Sequence, residues 1–140
     1  KFITILNLFP IYDSNSSNLY NSVQSIRNST SSFNLQNIID NNLNTISNYI
    51  GRSSKIILAW GNCPTADSKF PTSTTFNATL FYNTIHNVLN MLKYKTNLYY
   101  FKFNGCSKLT QYGNPYPPSK KGLIQDLYEL TQDPYLLTLS

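Results

Sequence analysis

Apolar residues fall along this chain in runs whose spacing switches repeatedly between the period of a strand and that of a helix. Phe2 to Leu8 is a short apolar run ended by Pro10, which predicts a buried strand. Asp13 to Ser32 is thick with Asn and Ser and predicts a loop, with room for a helical turn around Leu19-Tyr20 and Val23-Ile26. From there Leu35, Ile38, Ile39, Asn42, Leu43, Ile46, Tyr49 and Ile50 recur at three- and four-residue intervals, the stripe of an amphipathic helix. Ser32 or Asn34 is positioned as its N-cap, and Gly51 as a left-handed end.

Lys55-Ile56-Ile57-Leu58-Ala59-Trp60 predicts a second strand, broken by Gly61; a continuous apolar run of this kind suits a strand covered on both faces. Pro64 and Pro71 make Asn62 to Thr75 a loop. A second helix follows, with Leu80, Phe81, Ile85, Val88, Leu89 and Leu92 on one face and Lys93 and Lys95 near its C-terminal end, where positive charge complements the dipole. Leu98-Tyr99-Tyr100-Phe101-Lys102-Phe103 predicts a third strand closed by Asn104-Gly105. The remainder reads as a loop from Leu109 to Lys121, a short helix from Leu123 to Leu130 and an extension from Pro134 to Ser140.

Alternating strands and helices predict one α/β domain over residues 1–140, three-layered, with a mostly parallel sheet and helices on both faces. In open sheets of this kind, ligands sit beyond the carboxyl ends of the strands. Those ends are Asn7 to Tyr12, Trp60 to Cys63, and Asn104 to Cys106. The segment Gln111-Tyr112-Gly113-Asn114-Pro115-Tyr116-Pro117-Pro118 is expected to join them, because prolines pre-set its backbone and present its rings at low entropic cost. A loop that merely caps the sheet has the same composition.

Composition narrows the classes. Hydrophobic residues make up 41%, enough for a packed core, and the 11 Tyr and 8 Phe put many aromatic rings at surfaces or cleft rims, where phenol hydroxyls find partners. The formal net charge of +5 favours acidic partners, nucleic acid first among them, although no basic run is longer than Lys120-Lys121. Enrichment in Asn, Ile, Lys and Tyr also arises from AT-rich coding alone. Cys63 and Cys106 form no CxxC, and His86 is the single histidine, so neither a metal nor another cofactor is expected. Free thiols in a reducing cytoplasm are the simpler expectation than a disulfide. The opening Lys1 to Leu6 is too short for a signal-peptide core or a membrane span. Asn15, Asn28 and Asn77 form sequons of the kind that arise by chance in so Asn-rich a chain.

Other chemistries find little footing. His86, between Ile85 and Val88 on a helix, reads as a structural or surface histidine rather than a catalyst. Abundant serines lack a nucleophile-elbow glycine pattern, and no phosphate-binding glycine loop follows the first strand. Trp60, ending a buried strand, serves equally as core.

Asn7-Leu8-Phe9-Pro10 after a strand, Asn41-Asn42 within a helix, Ala59-Trp60-Gly61, and Gly113-Asn114-Pro115-Tyr116-Pro117 occur here in an order that resembles family 1643 of the bacterial domains of unknown function. The resemblance covers Lys1 to about Pro118. That family is in turn remotely similar to the uracil-DNA glycosylases, in which a strand ending in Asn, a strand ending in Trp-Gly and a His-Pro loop surround a base pocket. The resemblance implies that Asn7 corresponds to the base-reading amide and Gly113 to Pro117 to the loop that presses on the DNA minor groove. Two departures matter. Tyr116 stands where the family has histidine, and the upstream strand ending in an Asn-Pro-Ser type motif that the resemblance implies is not among the residues from Lys1 onward, being either a segment ahead of Lys1 or one that a short form lacks. Loss of a preorganised donor to a departing anion costs about a hundred- to a thousand-fold in rate.

These readings predict a glycosylase-like module of impaired catalysis that binds nucleic acid. Its pocket residues are expected to be Asn7, Pro10, Tyr12, Trp60, Gly61, Asn62, Tyr112, Asn114, Pro115, Tyr116 and Pro117, with Lys102, Lys108, Lys120 and Lys121 on phosphates. A competing class is a protein-interaction module, either a homodimer or the target of an acidic, DNA-mimicking protein. An active enzyme of another substrate is third.

Overall fold

The computed structural model describes residues 2–9, 22, 25–26, 28–29, 32–61, 75–111, 113–118, 122 and 124–130. In chain order its elements are α1 (Ser32–Arg52), β1 (Ile56–Leu58), α2 (Thr75–Leu92), β2 (Leu98–Phe103) and β3 (Ile124–Glu129). The protein is α/β, with a small mixed sheet in the order β1-β2-β3. The chain divides into two compact units, Lys1–Asn48 with Cys63–Val88, and Tyr49–Asn62 with Leu89–Ser140.

The first unit holds most of α1 and α2. Along α1 the expected stripe buries Ile39 and Ile46, while Leu43 is half-buried and Ile38 lies exposed. Asn42 sits in this stripe for a reason that hydrophobicity does not show. Its Nδ2 donates to the main-chain carbonyls of both Asn7 and Leu8, each at 3.0 Å. One amide group thereby satisfies two carbonyls. The ring of the next residue, Phe9, stacks on Phe81 of α2 with centroids 6.0 Å apart. On α2, Phe81, Ile85 and Val88 are buried as the spacing requires. Thr84 is buried with them, and its hydroxyl donates to the Leu80 carbonyl one turn back at 2.8 Å. Ser22, Ser25, Ile26, Asn28 and Ser29 have helical backbone, within the stretch expected to be loop with a helical turn.

One expectation fails here. Phe2 to Leu8 is not a buried strand: its backbone has no strand pairing, and Phe2, Ile3 and Ile5 are almost fully exposed. An apolar run gives a segment its affinity for a sheet, but the run alone supplies no neighbouring strand to pair with.

The second unit begins inside α1. Gly51 does not end the helix, which continues to Arg52 without a positive φ at Gly51. Instead the Ser53 hydroxyl donates to the Tyr49 carbonyl at 2.6 Å, and the Arg52 guanidinium lies 4.8 Å over the Tyr49 ring. Likewise Asn34 lies within the helix rather than at its cap. Asn97 then ties the start of the sheet together: its Nδ2 donates to Ser53 O at 2.9 Å and its carbonyl accepts from Ile56 N–H at 3.0 Å.

β1 and β2 run parallel, with Ile56 opposite Leu98 and Leu58 opposite Tyr100. Leu58, Leu98 and Tyr100 share one face and are buried, Tyr100 completely. Ile57 points the other way and is 41% exposed, so β1 is covered on one face and not, as expected, on both. The tail brings a second correction. Where a helix from Leu123 to Leu130 is expected, Ile124–Glu129 returns antiparallel along β2, with Tyr100 opposite Tyr128, Phe101 opposite Leu127 and Lys102 opposite Asp126; Leu123 lies outside the described residues. With β1–β2 parallel and β2–β3 antiparallel the sheet is mixed and not mostly parallel, and a register shift pairs Phe103 with Ile124. A segment this short is marginal as a helix in isolation, and a strand here gains a ladder along β2 plus the Tyr100–Tyr128 ring contact at 5.2 Å.

Asn42→Ala removes both bonds to the Asn7-Leu8 turn and is expected to lower stability by about 1–3 kcal/mol in urea denaturation. An unchanged midpoint would show that water replaces the amide at no cost.

Candidate functional site

β1 carries the chain to Trp60 and Gly61, and Gly61 has a φ of +73°, a conformation that favours glycine. This turn aims the Gly61 N–H at the Pro115 carbonyl, 2.9 Å away. It also leaves room for the Pro117 ring, whose Cγ and Cδ would lie 3.1 and 3.2 Å from any Cβ at position 61. Beside it, the Trp60 indole Nε1 donates to Asn114 Oδ1 at 3.1 Å. An indole only donates, which sets the orientation of the Asn114 amide.

The partner loop is shaped by Thr110 and Gly113. Gly113 N–H donates to Thr110 O, and Thr110 N–H to Asn114 O, both at 2.9 Å; Asn114 N–H donates to the Thr110 hydroxyl at 3.1 Å. Gly113 adopts a φ of +78° within this turn. Asn114 is 5% exposed and Pro115 is fully buried, so the loop's centre is packed inward. A buried polar group left without a partner would cost about 1–3 kcal/mol; here the Trp60 indole engages the Asn114 side-chain oxygen, and Thr110 engages the Asn114 main-chain N–H and carbonyl.

Tyr116 is half-buried, its ring edge-on to Phe103 at 5.7 Å. Its hydroxyl lies 3.0 Å from Ser107 Oγ, and Ser107 Oγ lies 2.7 Å from the Leu109 carbonyl. A serine hydroxyl has one hydrogen. With that hydrogen on the Leu109 carbonyl, the Tyr116 phenol is the donor to Ser107. Lys102 and Lys108 gather elsewhere in the same unit, their Nζ atoms 5.3 and 5.5 Å from the centre of the Tyr128 ring.

Of the expected pocket residues, Trp60 meets Asn114 and Gly61 meets Pro115 and Pro117, whereas Tyr116 turns to Phe103 and Ser107. Asn104 and Gly105 close β2 in an exposed turn, Gly105 at a φ of +70°. Asn7 belongs to the first unit, where it is exposed and held through its carbonyl. Pro10, Tyr12, Asn62, Tyr112, Lys120 and Lys121 lie outside the described residues. Sequence reasoning does not single out Thr110, Ser107 or Tyr128. Thr110 carries a usable signal, a turn-forming threonine three residues before glycine. Tyr128 carries none, because its partners come from β2 and the loop after it. Cys106 is a free, half-buried thiol and His86 is exposed. Among the described residues no His, Cys, Asp and Glu group of metal-binding size occurs, and no helix is long and apolar enough to cross a membrane.

Gly61→Ala is expected to destabilise the chain by about 1–3 kcal/mol, through strain at positive φ and the Pro117 contact. Asn114→Ala strands the indole N–H at a cost of about 1–2 kcal/mol and shifts the emission of Trp60, the sole tryptophan. Wild-type denaturation midpoints and an unmoved emission maximum in both variants would refute the interlock.

No protein-family model matches this chain, and no match to it is found among curated proteins or solved structures.

Proposed function

We propose that this chain is a glycosylase-like module, impaired in catalysis, that binds nucleic acid. The observation that carries the reading is the state of Tyr116. It occupies the position that the resemblance to family 1643 gives to a base-stabilising histidine, yet its hydroxyl donates to Ser107, which in turn donates to Leu109. A donor already committed to a neutral neighbour is poorly placed to stabilise a departing base anion. The Asn114 oxygen is likewise engaged by Trp60. Binding asks less of this surface than cutting does. The net charge of +5 favours a polyanion, and Lys102 and Lys108 with half-buried Tyr116 offer point charges for phosphates and a ring for bases. A three-layer, uracil-DNA-glycosylase-like arrangement, family 1643 membership and residence in the cytoplasm belong to the same proposal.

A second reading has its own support. Phe2, Ile3 and Ile5 are each almost fully exposed, and apolar side chains so placed suit a protein partner, either a second copy or an acidic, DNA-mimicking protein.

Uracil excision from single-stranded DNA is expected to stay at background, and robust turnover would sink the impaired-enzyme reading. Affinity for an oligonucleotide is expected to fall steeply from low to moderate salt; salt-independent affinity would count against nucleic acid. Size-exclusion chromatography with light scattering tests the second reading, and a strict monomer removes its homodimeric form.

A further inference from the structure

We propose that the sheet face carrying Ile57, Tyr99, Phe101 and Leu127 pairs with the same face of a second copy of this chain. The inference does not rest on the nucleic-acid reading; it gives the homodimeric form of the second reading a surface. Register places these side chains together, all within the second unit. Ile57 of β1 and Glu129 of β3 both stand opposite Tyr99, and Leu127 stands opposite Phe101. Residues directly opposite share a face, and residues two apart along a strand return to it. Lys55 lies on the same side, two residues before Ile57, with its Nζ 4.6 Å from the centre of the Tyr99 ring.

The other face of the sheet is core, with Leu58, Leu98 and Tyr100 buried. On this face the cover is uneven. Phe103, at the end of β2, is buried, and the Tyr116 ring lies edge-on to it at 5.7 Å. Ile57 is 41% exposed, and Tyr99, Phe101 and Leu127 are half-buried. Apolar and aromatic side chains in the middle, with charge confined to the margins, are the make-up of an interface core.

Charge selects the occupant. Lys55 lies on the β1 side of Tyr99 and Glu129 on the β3 side, and both are exposed. A polyanion is repelled by Glu129 and a uniformly basic partner by Lys55. A second copy satisfies both. With β2 in the middle of the sheet, a two-fold axis running along it lays β1 of one copy over β3 of the other. Lys55 of each copy then meets Glu129 of the partner subunit, Tyr99 meets its own counterpart, and every contact is made twice. Three short strands make a small face, so association is expected to be weak, micromolar or above.

Analytical ultracentrifugation of the wild type, Lys55→Glu, Glu129→Lys and an equimolar mixture of the two variants tests the pairing. Both positions are exposed, and circular dichroism checks that each variant keeps its fold. Either substitution alone sets like charges against each other at both margins and is expected to raise the dimer dissociation constant about tenfold or more. Mixing the variants restores wild-type association, because each supplies the charge that the other lacks. Variants that dimerise as well as wild type overturn this face and leave the homodimeric reading to Phe2, Ile3 and Ile5. Variants that weaken association without rescue on mixing overturn the two-fold pairing. A wild type that stays monomeric at millimolar concentration overturns this inference and the homodimeric reading together, and leaves the nucleic-acid reading as it was.

Discussion

The interlock between the end of β1 and the loop Thr110 to Pro117 governs what the rest of the second unit is able to do. It depends on one backbone choice. Gly61 turns into the left-handed region, its N–H reaches the Pro115 carbonyl, and the space where a Cβ would stand is filled by the Pro117 ring. With that turn made, the Trp60 indole N–H engages the Asn114 side-chain oxygen. A tryptophan after a strand and an asparagine in a proline-rich loop look from composition like pocket-lining groups. In three dimensions they are hydrogen-bonded to each other, half-buried Trp60 donating to buried Asn114.

The consequence reaches Tyr116. Proline on either side and the anchored Pro115 deliver its ring to Phe103 and its hydroxyl to Ser107. The Tyr116 hydroxyl is thus partnered within the unit, as are the main-chain groups that Thr110, Gly113 and Asn114 exchange. Charge is then set by a different contact. β3 pairs with β2, and this pairing places Tyr128 beside Lys102 and Lys108.

The first unit shows the same economy around Asn42. An asparagine inside an apolar stripe would weaken a helix face if its amide were unpartnered. Here it holds the Asn7 and Leu8 carbonyls while Phe9 stacks on Phe81. The Asn-Leu-Phe segment is positioned through main-chain carbonyls and one ring, and the Asn7 side chain is not needed for that hold. The preceding residues Phe2, Ile3 and Ile5 remain exposed.

Much of the local structure was legible in the sequence. The stripes of Ile39, Ile46 and Ile50 and of Phe81, Ile85, Val88, Leu89 and Leu92 are the buried faces of α1 and α2, because a helix repeats its own geometry every few residues. Gly61 and Gly105 marked the ends of β1 and β2 because left-handed turns favour glycine. Tertiary structure decided whether Phe2 to Leu8 finds a neighbour, whether Ile124 to Glu129 becomes strand or helix, and which side chains meet at the clasp and at Tyr128. The physical reason is range. Periodicity and turn chemistry act over a few residues, whereas strand pairing, the Trp60–Asn114 bond and the Lys102–Tyr128–Lys108 cluster join residues far apart in the chain, and local pattern carries no information about register.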